Sequence, residues 1–124
     1  MRTLLLICLL VFGQSASADF LSENQGHWEG QGVLESGQTW PFYVHFQPNR
    51  AEVYSYEDGC EANWNFTRVT PHMMEGWEEL LVGFDRCHAG LKFVVTRHDA
   101  SRLKVEWQNM HGVFIAEGFI WRVQ

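Results

Sequence analysis

Cys60 and Cys87 carry the strongest intrinsic chemistry in this chain, and their setting favours a staple over a nucleophile. The third cysteine, Cys8, lies in an N-terminal segment with the form of a secretory leader. That segment has Arg2 as a basic start, an apolar stretch from Leu4 to Phe12, and the small-x-small site Ala16-Ser17-Ala18 before Asp19. Cleavage between Ala18 and Asp19 would discard Cys8 and send the remaining pair to an oxidising compartment, secreted or periplasmic, where two cysteines read as one disulfide. A redox pair would more often have C-x-x-C spacing. A cross-link closing the 26 intervening residues is expected to stabilise the domain by roughly 3–4 kcal/mol.

The other reactive side chains are poorly arranged for catalysis. Ser22, Ser36, Ser55 and Ser101 include no G-x-S-x-G nucleophile elbow. Glu78 and Glu79 are adjacent, so on a strand they point to opposite faces and cannot act as a paired acid and base. The six histidines, His27, His45, His72, His88, His98 and His111, include no H-x-H or H-x-x-x-H pair. Asp85 and His88 are separated from His98 and Asp99 by the length of a hairpin, which opposes a shared metal site. The reading is therefore non-catalytic, with no metal and no cofactor. Asn65-Phe66-Thr67 satisfies a glycosylation sequon, but its alternating context places it in a strand.

Those residues must be positioned by β structure. Period-two alternation recurs along the chain, and no helical period persists. Trp40, Phe42, Val44 and Phe46 share a face. So do Leu91, Phe93 and Val95, and Leu103, Val105 and Trp107. In the last segment Val113, Ile115, Glu117, Phe119 and Trp121 share a face whose apolar character Glu117 interrupts. Turn formers at Glu35-Ser36-Gly37, Pro48-Asn49, Asp58-Gly59, His88-Ala89-Gly90, Asp99-Ala100-Ser101 and His111-Gly112 separate the runs. The pattern predicts strands at 27–34, 39–47, 51–57, 61–69, 76–83, 90–97, 102–108 and 113–123. The segment 75–81 is ambiguous between strand and short helix. Eight short strands joined by tight turns favour an all-β, antiparallel up-and-down barrel, because closure removes exposed edges.

The segment 19–124 is long enough for one domain. Of nine basic side chains Arg2 goes with the leader, leaving eight against fifteen acids and a net charge of −7. This opposes binding to nucleic acid or anionic membrane, and the leader's apolar run is too short for a membrane anchor. It suits a basic partner or, more blandly, solubility. The sequence leaves the oligomeric state open.

Gly26-His27-Trp28 at the start of the first strand and Arg122 at the end of the last resemble the lipocalin and calycin superfamily. That resemblance implies that Trp28 plugs the barrel base under Arg122. Gly26-His27-Trp28-Glu29-Gly30-Gln31-Gly32 is also similar to the opening of nitrobindins, which are haem-binding barrels; His111 is the one candidate for their haem histidine, and its spacing does not align well. The mature chain is shorter than in either group, and the mid-chain T-D-Y-type motif of lipocalins is missing.

Two functions follow as expectations. In the first, a small apolar or amphipathic ligand sits inside the barrel against Trp40, Phe42, Trp64, Phe93 and Trp107. In a barrel this small, side chains are expected to fill the interior, and a lumen above roughly 300 Å³ would favour the ligand. In the second, the acidic loop bearing Glu57, Asp58 and Glu61 contacts a basic protein, inhibiting or capturing a cationic extracellular or periplasmic enzyme such as lysozyme.

Overall fold

A computed structural model describes residues 19–124; the expected leader, with Cys8, lies outside the described residues. A one-turn helix, α1 (Phe20–Glu23), precedes eight strands: β1 (Gly26–Leu34), β2 (Thr39–Phe46), β3 (Arg50–Ser55), β4 (Cys60–Val69), β5 (Met73–Val82), β6 (Lys92–Arg97), β7 (Arg102–Gln108) and β8 (Phe114–Arg122). Each strand pairs antiparallel with the next, and β1 pairs with β8, from Trp28 opposite Arg122 to Leu34 opposite Ala116, closing the barrel. The expected up-and-down barrel is therefore the observed fold.

Residues 75–81 are strand. Along β5 the inward positions are Met74, Gly76, Glu78 and Leu80, so the alternation is regular although only two of the four are apolar. Gly76 is required by close approach: a Cβ there would lie 1.9 Å from the Asn65 carbonyl oxygen on β4. Gly30 on β1 meets the Phe119 carbonyl oxygen on β8 in the same way. Glycine at such points lets the neighbouring backbone come close where the sheet bends. In β8 the buried face is Ala116, Gly118 and Ile120, while Glu117, Phe119 and Trp121 lie outside. The small inner residues make room for the Phe42 ring, whose edge is 3.0 Å from where a Gly118 Cβ would stand.

One end of the barrel is closed. Asp19 caps α1, its carboxylate accepting the Ser22 N–H at 2.7 Å, and Phe20 and Leu21 turn into the core. Asn24, buried just beyond, donates to the Phe20 carbonyl and accepts from Arg97, and its own carbonyl accepts the Trp28 indole N–H. The Trp28 ring is 2% exposed and the Arg122 guanidinium lies over it, 4.7 Å from the ring centroid. Arg122 also donates to the Gln25 and Glu23 carbonyls, tying the end of β8 to the segment that follows α1. Trp28 thus plugs the base with Arg122 over it. The sequence pattern names no element ahead of residue 27; α1 forms because the base of the barrel gives its apolar side chains something to cover.

Candidate functional site

The loops at the other end (35–38, 56–59, 83–91 and 109–113) surround a cavity of about 330 Å³. Alternation along the strands delivers Trp40 and Phe42 from β2, Val53 and Ser55 from β3, Ala62 from β4, Leu80 from β5 and Trp107 from β7 to its wall. Trp40, Phe42 and Trp107 form one aromatic corner, with ring centroids 5.3 Å apart for Phe42–Trp107 and 5.6 Å for Trp40–Trp107. Below it the barrel is filled. Trp64 and Phe93 stack at 4.4 Å in that filled layer, fully buried, with Phe46 against Trp64. Of the five aromatics expected to face a ligand, three line the cavity and two are packed core beneath its floor. The expectation of a wholly filled interior holds for the closed half only.

Glu78 is the unexpected member of the cavity wall. Cross-strand register sets it opposite Trp64, whose indole N–H donates to Glu78 Oε1 at 2.8 Å. Trp107, two strands away, donates to the same oxygen at 3.2 Å. Protein encloses the carboxyl on every side except the cavity, onto which part of its surface opens. Among the described residues no donor reaches Oε2. Burial pushes this carboxyl above the usual carboxylate range, with the two indole bonds pulling the other way. The sequence does hold the clue: Met74-x-Gly76-x-Glu78-x-Leu80 puts Glu78 on an inward row.

A carboxyl whose folded pKa exceeds its unfolded value of about 4.5 favours the fold fully below that pH and loses this contribution as pH rises through the folded value. Glu78→Gln keeps an oxygen for both indoles and cannot ionise. Its melting temperature should therefore exceed that of the parent at pH 8, the gap shrinking to nothing near pH 4.5. Thermal unfolding across this range checks it, each 1 kcal/mol appearing as roughly 4–8 °C in a domain of this size. An equal gap at both ends of the range would show that ionisation of Glu78 carries no folding penalty.

The mouth is lined by charged side chains. Asp58 and Glu61 stand on one side, with Ser55 Oγ donating to Asp58 Oδ2 at 3.1 Å. Arg86 and His88 come from the facing loop. Arg86 is committed to that loop's geometry: it donates to the Asp58 and Gly59 carbonyls and pairs with Asp85 at 2.6 Å. The disulfide Cys60–Cys87, with Cα atoms 6.3 Å apart, ties the same two segments and forms part of the wall. Phe84 and Met110, each 71% exposed, and Val113 lie on the surrounding loops.

The remaining candidates are scattered. Glu57 is exposed beside Asp58 on the 56–59 turn. On the outer surface, register stacks His27 on His45 at 4.1 Å, a pairing that sequence spacing does not reveal. Asp85 and His88 sit at the open end and His98 and Asp99 at the closed end, and no cluster of three or more metal-ligating side chains occurs among the described residues. Tyr54 stacks on Tyr56 at 5.7 Å, and Tyr43 lies 5.4 Å from Tyr56, making an aromatic patch on the outside of β2 and β3.

No protein-family model and no curated protein matches this sequence. Among solved structures the chain is similar to a redesigned β-barrel, with a TM-score of 0.64 and 20% identity over 84% of this chain and 95% of that one. At that identity the likeness is one of fold alone, a β-barrel.

Proposed function

We propose that this is an exported, non-catalytic binding protein that takes a small apolar or amphipathic ligand into the open end of its barrel. The observation that carries the reading is the cavity of about 330 Å³ walled by Trp40, Phe42 and Trp107, which falls at the small end of the roughly 300–1,000 Å³ of ligand pockets. Phe84, Met110 and Val113, exposed on the 83–91 and 109–113 loops at the same end of the barrel, offer apolar surface to a poorly soluble molecule. Two features support a lipocalin-like version of this reading: the G-x-W start of β1 and the stacking of Arg122 on Trp28 at the base. The disulfide supports action after export.

Titration with the neutral fluorescent probe N-phenylnaphthylamine tests it. Saturable binding with quenching of tryptophan emission is expected, and Leu80→Trp, which fills the cavity with an indole, should weaken it by about tenfold. Binding that is absent from the parent, or undiminished in Leu80→Trp with an unchanged circular dichroism spectrum, would refute the reading.

A second reading, capture of a cationic extracellular enzyme, is favoured by one observation. The Tyr43, Tyr54 and Tyr56 patch adjoins the acidic turn with Glu57, Asp58 and Glu61, and Tyr54 pairs directly with Glu61 across β3 and β4. An exposed aromatic surface beside like-signed charge suits a basic protein partner.

A further inference from the structure

We propose that the ligand of this cavity is an amphiphile with a protonated amine, its ammonium on Glu78 Oε2 and its apolar body against Trp40, Phe42 and Trp107. The inference rests on the cavity being a ligand site and adds the chemistry of the ligand's head.

Three observations carry it. First, Glu78 is half-satisfied in one direction only. Oε1 takes both indole N–H bonds, at 2.8 and 3.2 Å, which leaves Oε2 turned to the cavity without a donor. Oε2 therefore keeps surface open to the cavity, where a charged donor is the partner that would bind it most strongly. Second, the wall around it suits a cation. Aromatic faces attract positive charge, and the corner formed by Trp40, Phe42 and Trp107 adjoins the carboxyl through the Trp107 indole bond. Third, acids outnumber bases in the lining. The charged and titratable side chains facing this space are Glu78 on β5, Asp58 and Glu61 on the opposite rim, and Arg86 and His88 on the 83–91 loop. Arg86 is already neutralised by Asp85, so it does not offset the three acids. A carboxylate ligand seated against Glu78 would set two like charges side by side, with Arg86 held at the rim by Asp85 and by the Asp58 and Gly59 carbonyls.

An empty cavity makes the Glu78 carboxylate expensive, because burial opposes its charge. An ammonium supplies the missing counter-charge, so the residue that strains the free protein becomes the anchor of the complex. A neutral alcohol could donate one hydrogen bond to the same oxygen but would bring no charge.

Competition for N-phenylnaphthylamine by phenylbutylamine, phenylbutanol and phenylbutyrate tests this, the three sharing a body and differing in head. At pH 8 the amine should displace the probe at a concentration about tenfold lower than the alcohol, with the acid weakest. Glu78→Gln should weaken the amine about tenfold more than the alcohol and so bring the two close to parity. Should that variant fail to fold, the parent protein gives the same information: amine affinity falls on acidification while alcohol affinity stays flat. Equal displacement by amine and alcohol in the parent would overturn the ammonium while leaving the cavity as the site. An acid that binds best would overturn it too. Failure of all three, with no probe bound at all, would remove the ligand site and the ammonium together.

Discussion

Trp28→Ala should cost about 3–5 kcal/mol of unfolding free energy, the range found when a large buried aromatic side chain is cut to a methyl. Trp28 is 2% exposed and plugs the barrel where no strand can, so the hole left behind would sit between α1 and the first core layer. Two further interactions go with the ring. Its N–H bond of 2.9 Å to the Asn24 carbonyl disappears, which leaves a buried acceptor unpaired, and Arg122 loses the π face beneath it. Domains of this kind hold only about 5–15 kcal/mol in all. Guanidinium unfolding should therefore show a much lower midpoint, with α1 released first, visible as loss of amide protection at Asn24. Trp28→Phe retains most of the plug and should recover much of the loss. A midpoint within experimental error of the parent would mean that the base is held by the helix alone.

The open end is buffered from that change, because the two ends of the barrel share little beyond the filled layer of Trp64, Phe93 and Phe46. This division separates the residues that hold the fold from those that meet the cavity, and the sequence displays the two unequally. The fold was legible because a strand with one buried face must alternate, and Trp40 to Phe46 and Leu103 to Trp107 alternate without interruption. Strand β5 resisted because its inward row contains Gly76 and Glu78, neither of which counts as apolar. Strand β8 misled for the complementary reason: its larger apolar side chains, Phe119 and Trp121, are on the outside, while Ala116 and Gly118 are inside because Phe42 occupies the volume. Hydrophobicity reports which residues prefer burial, not how much room a closed barrel has for them.

The cavity itself was not legible. Whether five inward aromatics fill a lumen or line one depends on how the strands are staggered, and Trp64 and Phe93 differ from Trp40, Phe42 and Trp107 only in their height along the axis. Glu78 was legible in part. Its opposition to Glu79 across the strand follows from the pleat, and inward placement of one of the two was then unavoidable. What sequence could not show is that Trp64 and Trp107 would both aim their N–H groups at it, since those residues are 43 positions apart and meet only through the β4–β5 register and the curvature of the sheet.

Removing the disulfide should be the second large perturbation, lowering stability by roughly 3–4 kcal/mol in a Cys60→Ala, Cys87→Ala double variant. The bond closes 26 intervening residues, so its absence enlarges the conformational freedom of the unfolded chain whatever happens in the fold. In the folded protein its effect is local. The 83–91 loop has few ties of its own: the Arg86 and Cys87 N–H groups both donate to the Gly83 carbonyl, and Arg86 reaches the Asp58 and Gly59 carbonyls. Without Cys87 anchored to Cys60, that loop is held to the 56–59 turn mainly by one exposed arginine. Since Cys87, His88 and Leu91 form one side of the cavity, stability and ligand affinity should fall together. Hydrogen exchange should quicken at residues 83–91 and stay slow at Trp28 and Phe46 on the closed half, and N-phenylnaphthylamine should bind more weakly than to the parent. Reductant added to the parent should reproduce each change. An unfolding midpoint indifferent to reductant would show that the cross-link contributes nothing to the native balance, whereas a lowered midpoint with intact probe binding would show that the loop keeps its place through Arg86 alone.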